Sequence, residues 1–175
     1  MENRAYNNKQ YFEIQKAILF LFKSFANVED KNKPELLHSL HVGYRLLDYK
    51  YSIEIIIAGL LHDVLEEGDN TEDIKKMFGK KVYELVLVNS KDTSIKDWVA
   101  QYTELVARIA AHSKDALIVK AADVLDNFIF RFQAGNELEK KKVIHLANQV
   151  FKHTDSNDRI FKELRKVYKN CFRNF

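Results

Sequence analysis

Five glycines and a single proline are the only strong helix breakers in 175 residues. This scarcity constrains the fold more than any motif does. Apolar residues recur three and four apart along most of the chain, the spacing that lines one face of an α-helix. The first expected helix is 8–25, with Phe12, Ile18, Leu19, Phe22 and Phe25 turned inward. Pro34 suits the first turn of a second helix running to about Asp48, since proline lacks only a donor that this position leaves unpaired. Ser52 can cap a third, Ile53 to Glu66, whose apolar middle reads as buried almost all round. Gly68-Asp69-Asn70 reads as a turn, after which Thr71 caps a short helix that Gly79 ends. A fifth helix is expected from Lys80 to about Asn89, then a polar break over 90–94. Ser94 with Asp97 resembles a capping arrangement for a sixth helix from Ile95 to about Ala111. The spacing continues from Lys114 to Ala134, with Gly135 as the stop, then over about 137–151 and about 158–172. Nothing reads as a strand, a repeat or an internal linker. The expectation is one all-α domain over 1–175, a compact bundle of eight to nine helices.

The remaining totals exclude several classes. Hydrophobic residues make up 46% of the chain, enough for a core without staples, and charged residues 30%, a solvated surface. The lone Cys171 forms no internal disulfide, which fits a reducing compartment. No signal peptide is read at the start, and the apolar run 17–22 is far short of the roughly 20 residues that cross a bilayer. Cytoplasmic localisation and no membrane span follow as expectations. A net charge of +3 is too mild to call for nucleic acid. P-loop, Rossmann and cysteine-based zinc motifs are missing.

One pair stands out against this background. His62-Asp63 closes an otherwise apolar helical segment, and a packed helix does not carry an unpartnered imidazole and carboxylate without cost. With His38 upstream and Asp123 downstream it can complete one divalent-metal site of two imidazoles and two carboxylates. Such a site leaves positions open for water and a substrate oxygen. The mixed N/O set suits Mn, Fe, Mg, Co or Zn. A metal held that way acidifies bound water and polarises a phosphoryl oxygen. Glu66 lies four residues after His62 and Glu67 four after Asp63, so either can take or orient a proton of that water. Lys120 and Asn127 flank Asp123 at three and four residues, on its own helix face, and can hold phosphate or sugar oxygens.

These residues resemble the HD-domain superfamily of metal-dependent phosphohydrolases, whose signature is His, then His-Asp, then a distant Asp. The runs His38-Ser39-Leu40-His41-Val42-Gly43, Leu60-Leu61-His62-Asp63-Val64-Leu65-Glu66-Glu67 and Ile118-Val119-Lys120-Ala121-Ala122-Asp123-Val124-Leu125-Asp126-Asn127 are similar to its alarmone hydrolase branch. That branch comprises the hydrolase domain of the Rel/Spo stringent-response enzymes and their small free-standing relatives. Thr71-Glu72-Asp73-Ile74 and Phe78-Gly79-Lys80-Lys81-Val82 resemble its following link. The likeness covers roughly residues 30–130. It implies an all-helical fold, a bound Mn, and removal of pyrophosphate from the 3′ position of guanosine tetra- or pentaphosphate. It also implies metal ligation by His38, His62, Asp63 and Asp123, catalytic work by Glu66 and Glu67, and substrate contact by Lys120 and Asn127.

The departures bear on substrate. The family's proline after the first histidine is Ser39 here, its acidic Glu-Asp pair is Glu66-Glu67, and Val124 and Asp126 replace an arginine and a histidine. Glu29-Asp30 stand where the family carries Arg-Lys, with Lys31 and Lys33 nearby, and a highly anionic nucleotide needs cations. An HD-type phosphatase acting on another nucleotide or phosphate ester is therefore the alternative, and a non-catalytic metal- or nucleotide-binding module the third. His41 reads as a polar helix residue. The amphipathic segment 159–175, with six cations and one acid, reads as a terminal helix packing through Phe161, Leu164, Tyr168 and Phe172 and leaving a basic face in solvent. The expected partner is a small phosphorylated nucleotide.

Overall fold

A computed structural model describes residues 6–26, 34–67, 71–134 and 136–173, apart from the side chains of Glu67, Thr71, Gln133, Ala134, Phe172 and Arg173. Glu29-Asp30 with Lys31 and Lys33, the turn at Gly68-Asp69-Asn70, the Thr71 cap and the stop at Gly135 lie outside the described residues. Among the described residues are nine helices and no strand, the all-α fold expected. No described helix is long and apolar enough to cross a membrane. The chain divides into two compact units, Met1–Leu87 and Val88–Phe175.

The first unit holds α1 (Asn8–Phe25), α2 (Glu35–Asp48), α3 (Ile53–Leu61), α4 (Val64–Glu67) and most of α5 (Thr71–Asn89). Its core is α3, on which every residue from Ile55 to Leu61 is buried. Helix α1 starts on a capping box missed in the sequence: the Asn7 side chain accepts from the Gln10 amide and the Gln10 side chain from the Asn7 amide. Its inward face is only partly the expected one: Phe25 is buried and Ile18 half-buried, as read, but the other three are not. Ile14, Ala17, Phe20, Leu21 and Phe25 are buried, whereas Phe12 and Leu19 are 67% and 62% exposed and Phe22 is exposed too. Where apolar residues surround a helix, spacing allows several stripes, and packing against α3 selects one.

Helices α2 and α3 meet through two glycines. A Cβ on Gly43 would overlap the Leu60 side chain, and one on Gly59 the Leu46 side chain. Both helix axes are thereby brought close, which matters because each carries a site residue. Helix α2 ends with Lys50 at φ 60°, its amide donating to the Leu47 carbonyl and that of Tyr51 to the Leu46 carbonyl. This is the left-handed terminus that glycine usually supplies. Pro34 sits at the cap, one residue ahead of α2.

The third helix does not run on to Glu66. It stops at Leu61, His62 occupies its C-cap, and after Asp63 the separate turn α4 begins. Gly79 at φ 86° breaks α5 into two helical pieces, as its position as a stop predicts.

The second unit holds α6 (Trp98–His112), α7 (Lys114–Ala134), α8 (Glu137–His153) and α9 (Arg159–Arg173). Helix α6 starts three residues later than expected, because Asp97 itself is the N-cap and accepts from the Ala100 amide. Ser94 does not cap; its amide and hydroxyl both donate to Asp92 Oδ1 in a local turn. Helix α7 is the core element, buried at every position from Ala116 to Phe128, and packs on α6, α8 and α9. Ile160, Phe161 and Leu164 of α9 are buried, and Tyr168 meets Phe128 and Phe151 edge-on. The apolar stripe read in the sequence therefore packs inward, with Phe172 outside the described residues. Lys162, Arg165, Lys166 and Lys169 line a surface cleft of about 300 Å³.

Candidate metal centre

The His-Asp pair falls where the helical ladder is interrupted, and the histidine takes part in the interruption. In an unbroken helix the Gly59 carbonyl would accept from the Asp63 amide. Here it receives the His62 ring, Nδ1 to oxygen at 2.9 Å. A carbonyl only accepts, so Nδ1 carries a proton, and Nε2 is the ring nitrogen left to face other groups. The sequence reading placed both residues on a continuous helix, in which consecutive side chains diverge by about 100°. The break instead lets both turn to one side.

His62 Nε2 lies 3.2 Å from His38 Nε2 and 3.2 Å from Asp63 Oδ2, and His38 Nε2 lies 3.8 Å from the same oxygen. Donors sharing one ion at bonds of about 2.1 Å stand about 3.0 to 3.4 Å apart. Two of the three separations fit that directly, and the third, at 3.8 Å, is longer. His38 and His62 are 4% and 0% exposed, whereas the Asp63 carboxylate keeps 17% of its surface in solvent. The donor set is thus a buried imidazole pair with a carboxylate at its open side, a set fit for a divalent cation. Glu66 is exposed on α4, its amide donating to the Asp63 carbonyl. The Glu67 side chain lies outside the described residues. His41 is exposed and lines an apolar cavity of about 280 Å³ with Ile14, Ile18, Leu40 and Tyr44, in keeping with a polar helix residue.

Three further candidates come together in the second unit. Lys120, Asp123 and Asn127 are each under 7% exposed on a helix whose buried stretch is, apart from these and Asp126, aliphatic and aromatic. Lys120 Nζ donates to Asp123 Oδ2 at 2.9 Å. Asn127 Nδ2 donates to Asp123 Oδ1 and, at 3.1 Å, to the Asp123 carbonyl. The spacing of three and four residues that suggested a shared face is therefore a set of direct bonds. Burying such charges costs more than their pairing usually returns, so their presence in a core helix points to use rather than stability. Val124 is buried and Asp126 is 5% exposed. Two residues escaped the sequence reading: Arg131, whose Nε donates to Asn127 Oδ1 at 3.0 Å, and Glu139, paired with Arg131. Arg131 lies four residues after Asn127, so extending the same spacing by one turn would have found it.

The order of these residues, on an all-helical frame, is that of a known class. The HD domain family model matches residues 17–157, and the chain belongs to the HD domain family. Among its relatives is the guanosine-3′,5′-bis(diphosphate) 3′-pyrophosphohydrolase of Aquifex aeolicus, 33% identical over 138 residues, or 74% of this chain and 20% of that protein. The bifunctional (p)ppGpp synthase/hydrolase SpoT of Escherichia coli is 38% identical over 72 residues, covering 41% of this chain and 10% of that one. The chain thus spans about a fifth or less of the length of these curated relatives. A solved structure described as a metazoan ortholog of SpoT that hydrolyzes ppGpp shares the fold, with a TM-score of 0.76 at 20% identity over 90% of this chain and 94% of that one.

Proposed function

We propose that this chain is a metal-dependent phosphohydrolase that removes the 3′-pyrophosphate of guanosine tetra- or pentaphosphate. The observation that carries it is the His62 ring, held by the Gly59 carbonyl so that Nε2 faces both His38 and Asp63. The substrate class rests on the relatives, whose names state that activity for them. The HD-domain match takes in residues of both compact units, and we read the chain as one hydrolase domain.

In this reading His38, His62, Asp63 and Asp123 hold one divalent ion, assigned as Mn²⁺. The ion supplies Lewis acidity, lowering the pKa of water and neutralising charge that develops on a phosphoryl group. Glu66, exposed and one turn from the ligands, takes a proton from the attacking water; Glu67 orients that water. Lys120 gives one donor to Asp123 and keeps others for a phosphate oxygen. Asn127 steadies the substrate end while holding Asp123. The compartment we assign is the cytoplasm, in keeping with a single unpaired cysteine.

A second reading keeps the ion and changes the substrate to another nucleotide or phosphate ester. Glu29-Asp30, standing where the resembling branch carries a basic pair, favours it. Metal content and release of phosphate and pyrophosphate from a nucleotide panel separate the two, with His62→Ala and Glu66→Gln as controls. Pyrophosphate from guanosine tetraphosphate, lost in both variants, is the expected result. Monophosphate release alone transfers the assignment to the second reading. Metal-loaded protein inert toward the whole panel would overturn both.

A further inference from the structure

We infer that Arg131, anchored by Glu139, is a positioning residue for Asp123 and acts through the Asn127 side chain. The inference rests on the reading of Asp123 as a metal ligand and extends it to residues that the HD signature does not contain.

Lys120, Asp123, Asn127 and Arg131 lie at intervals of three, four and four along α7, so they form one stripe on a single helix face. Their bonds run in sequence. Lys120 holds one oxygen of Asp123 and Asn127 Nδ2 the other, while Arg131 Nε donates to Asn127 Oδ1. An asparagine amide is nearly symmetric in shape, so its orientation is set by partners alone. Turned over, Asn127 would present its oxygen to the Asp123 carboxylate and its NH₂ to the Arg131 guanidinium, two repulsive contacts. Arg131 thereby adds to the two Asp123 acceptors in setting which end of Asn127 meets Asp123, and holds the amide from its far side.

Arg131 is itself held from α8. It pairs with one carboxylate oxygen of Glu139, and Lys142 Nζ holds the other at 2.7 Å. The Glu139 backbone is fixed at the start of α8, where its amide donates to the Asn136 cap at 3.0 Å. The start of α8 thus fixes a guanidinium, the guanidinium fixes an amide, and the amide fixes a carboxylate. Partners that orient a ligand in this way typically change metal affinity roughly 10- to 100-fold when removed.

The experiment measures Mn²⁺ alone binding to the full-length chain by calorimetry, together with the melting temperature of metal-free protein, for Arg131→Lys, Arg131→Met and Asp123→Asn. Lysine keeps the charge opposite Glu139 but lacks the fork that serves Glu139 and Asn127 together. A positioning role predicts roughly tenfold weaker Mn²⁺ binding in both Arg131 variants, with Arg131→Lys melting like the parent. It also predicts a fall in kcat with little change in KM. Parent-like Mn²⁺ affinity in Arg131→Lys and Arg131→Met, while Asp123→Asn loses the ion, would overturn the inference and leave the metal centre standing. Unchanged binding in Asp123→Asn would remove the metal-ligand reading and this inference with it.

Discussion

The Gly59 carbonyl accepts the Nδ1–H of His62 at 2.9 Å, and this one bond aims the other ring nitrogen at His38 and Asp63. Donor atoms gathered this closely suit a divalent cation, and a cation bound only by the native state adds to its stability. Mn²⁺ at a hundred times its Kd should stabilise the native state by about 2.7 kcal/mol. Thermal melts with added Mn²⁺ check this: the midpoint rises with metal, returns with a chelator, and does not respond in His62→Ala. A parent protein whose midpoint ignores divalent ions would count against the site.

Gly43→Ala tests the approach of α2 to α3. The substitution gains about 1 kcal/mol of helix propensity but forces the Leu60 side chain aside, and such overpacking costs about 1–3 kcal/mol. Because Leu60 is 2% exposed and has nowhere to go, overpacking wins and the variant is destabilised. Urea denaturation should show a lower midpoint with an unchanged slope.

Lys50 pays a conformational cost in the left-handed region at φ 60°, where Cβ crowds the following carbonyl by about 1–2 kcal/mol. Lys50→Gly relieves it and loses part of the gain to the greater entropy of the unfolded chain. The net expectation is a stabilisation of about 0.5–1 kcal/mol, read as a higher urea midpoint. Lys50→Ala keeps the crowding and should leave the midpoint where it is.

Tyr6 donates its hydroxyl to the Tyr51 carbonyl at 2.8 Å. Burial, with a lesser contribution from Tyr11, pushes its ionisation above the usual tyrosine range. The unfolded chain then releases this proton first as pH rises. Stability from the group is therefore whole below the ordinary tyrosine value and is lost as pH climbs toward the raised one. Ultraviolet titration should show one tyrosine ionising late, and Tyr6→Phe should remove that step. The same variant should cost about 1 kcal/mol at neutral pH through loss of the hydrogen bond to the Tyr51 carbonyl.

Much of the candidate centre was legible in the residues because ligand chemistry constrains type and spacing together. Lys120, Asp123 and Asn127 lie one turn apart on a single helix, so their contact follows from helical geometry, and the structure bears it out as direct hydrogen bonds. His38 and His62 are 24 residues apart on different helices. Their order suggested a pairing that only packing of α2 on α3 through Gly43 and Gly59 produces. Arg131 and Glu139 were not read because a surface-type arginine and glutamate near a helix end ordinarily need no partner.

The sequence by itself determined an all-helical chain, most helix limits and the ligand-type residues, because few breakers, capping residues and three-to-four spacing act locally. Tertiary structure decided which face of α1 turns inward, leaving Phe12 and Leu19 in solvent while Ile14, Ala17 and Leu21 are buried. It also decided that α3 ends at Leu61, where His62 ties its ring to the Gly59 carbonyl and turns Nε2 toward a neighbouring helix. Both outcomes depend on what lies across a packed interface, and no periodicity along one strand of sequence carries that information.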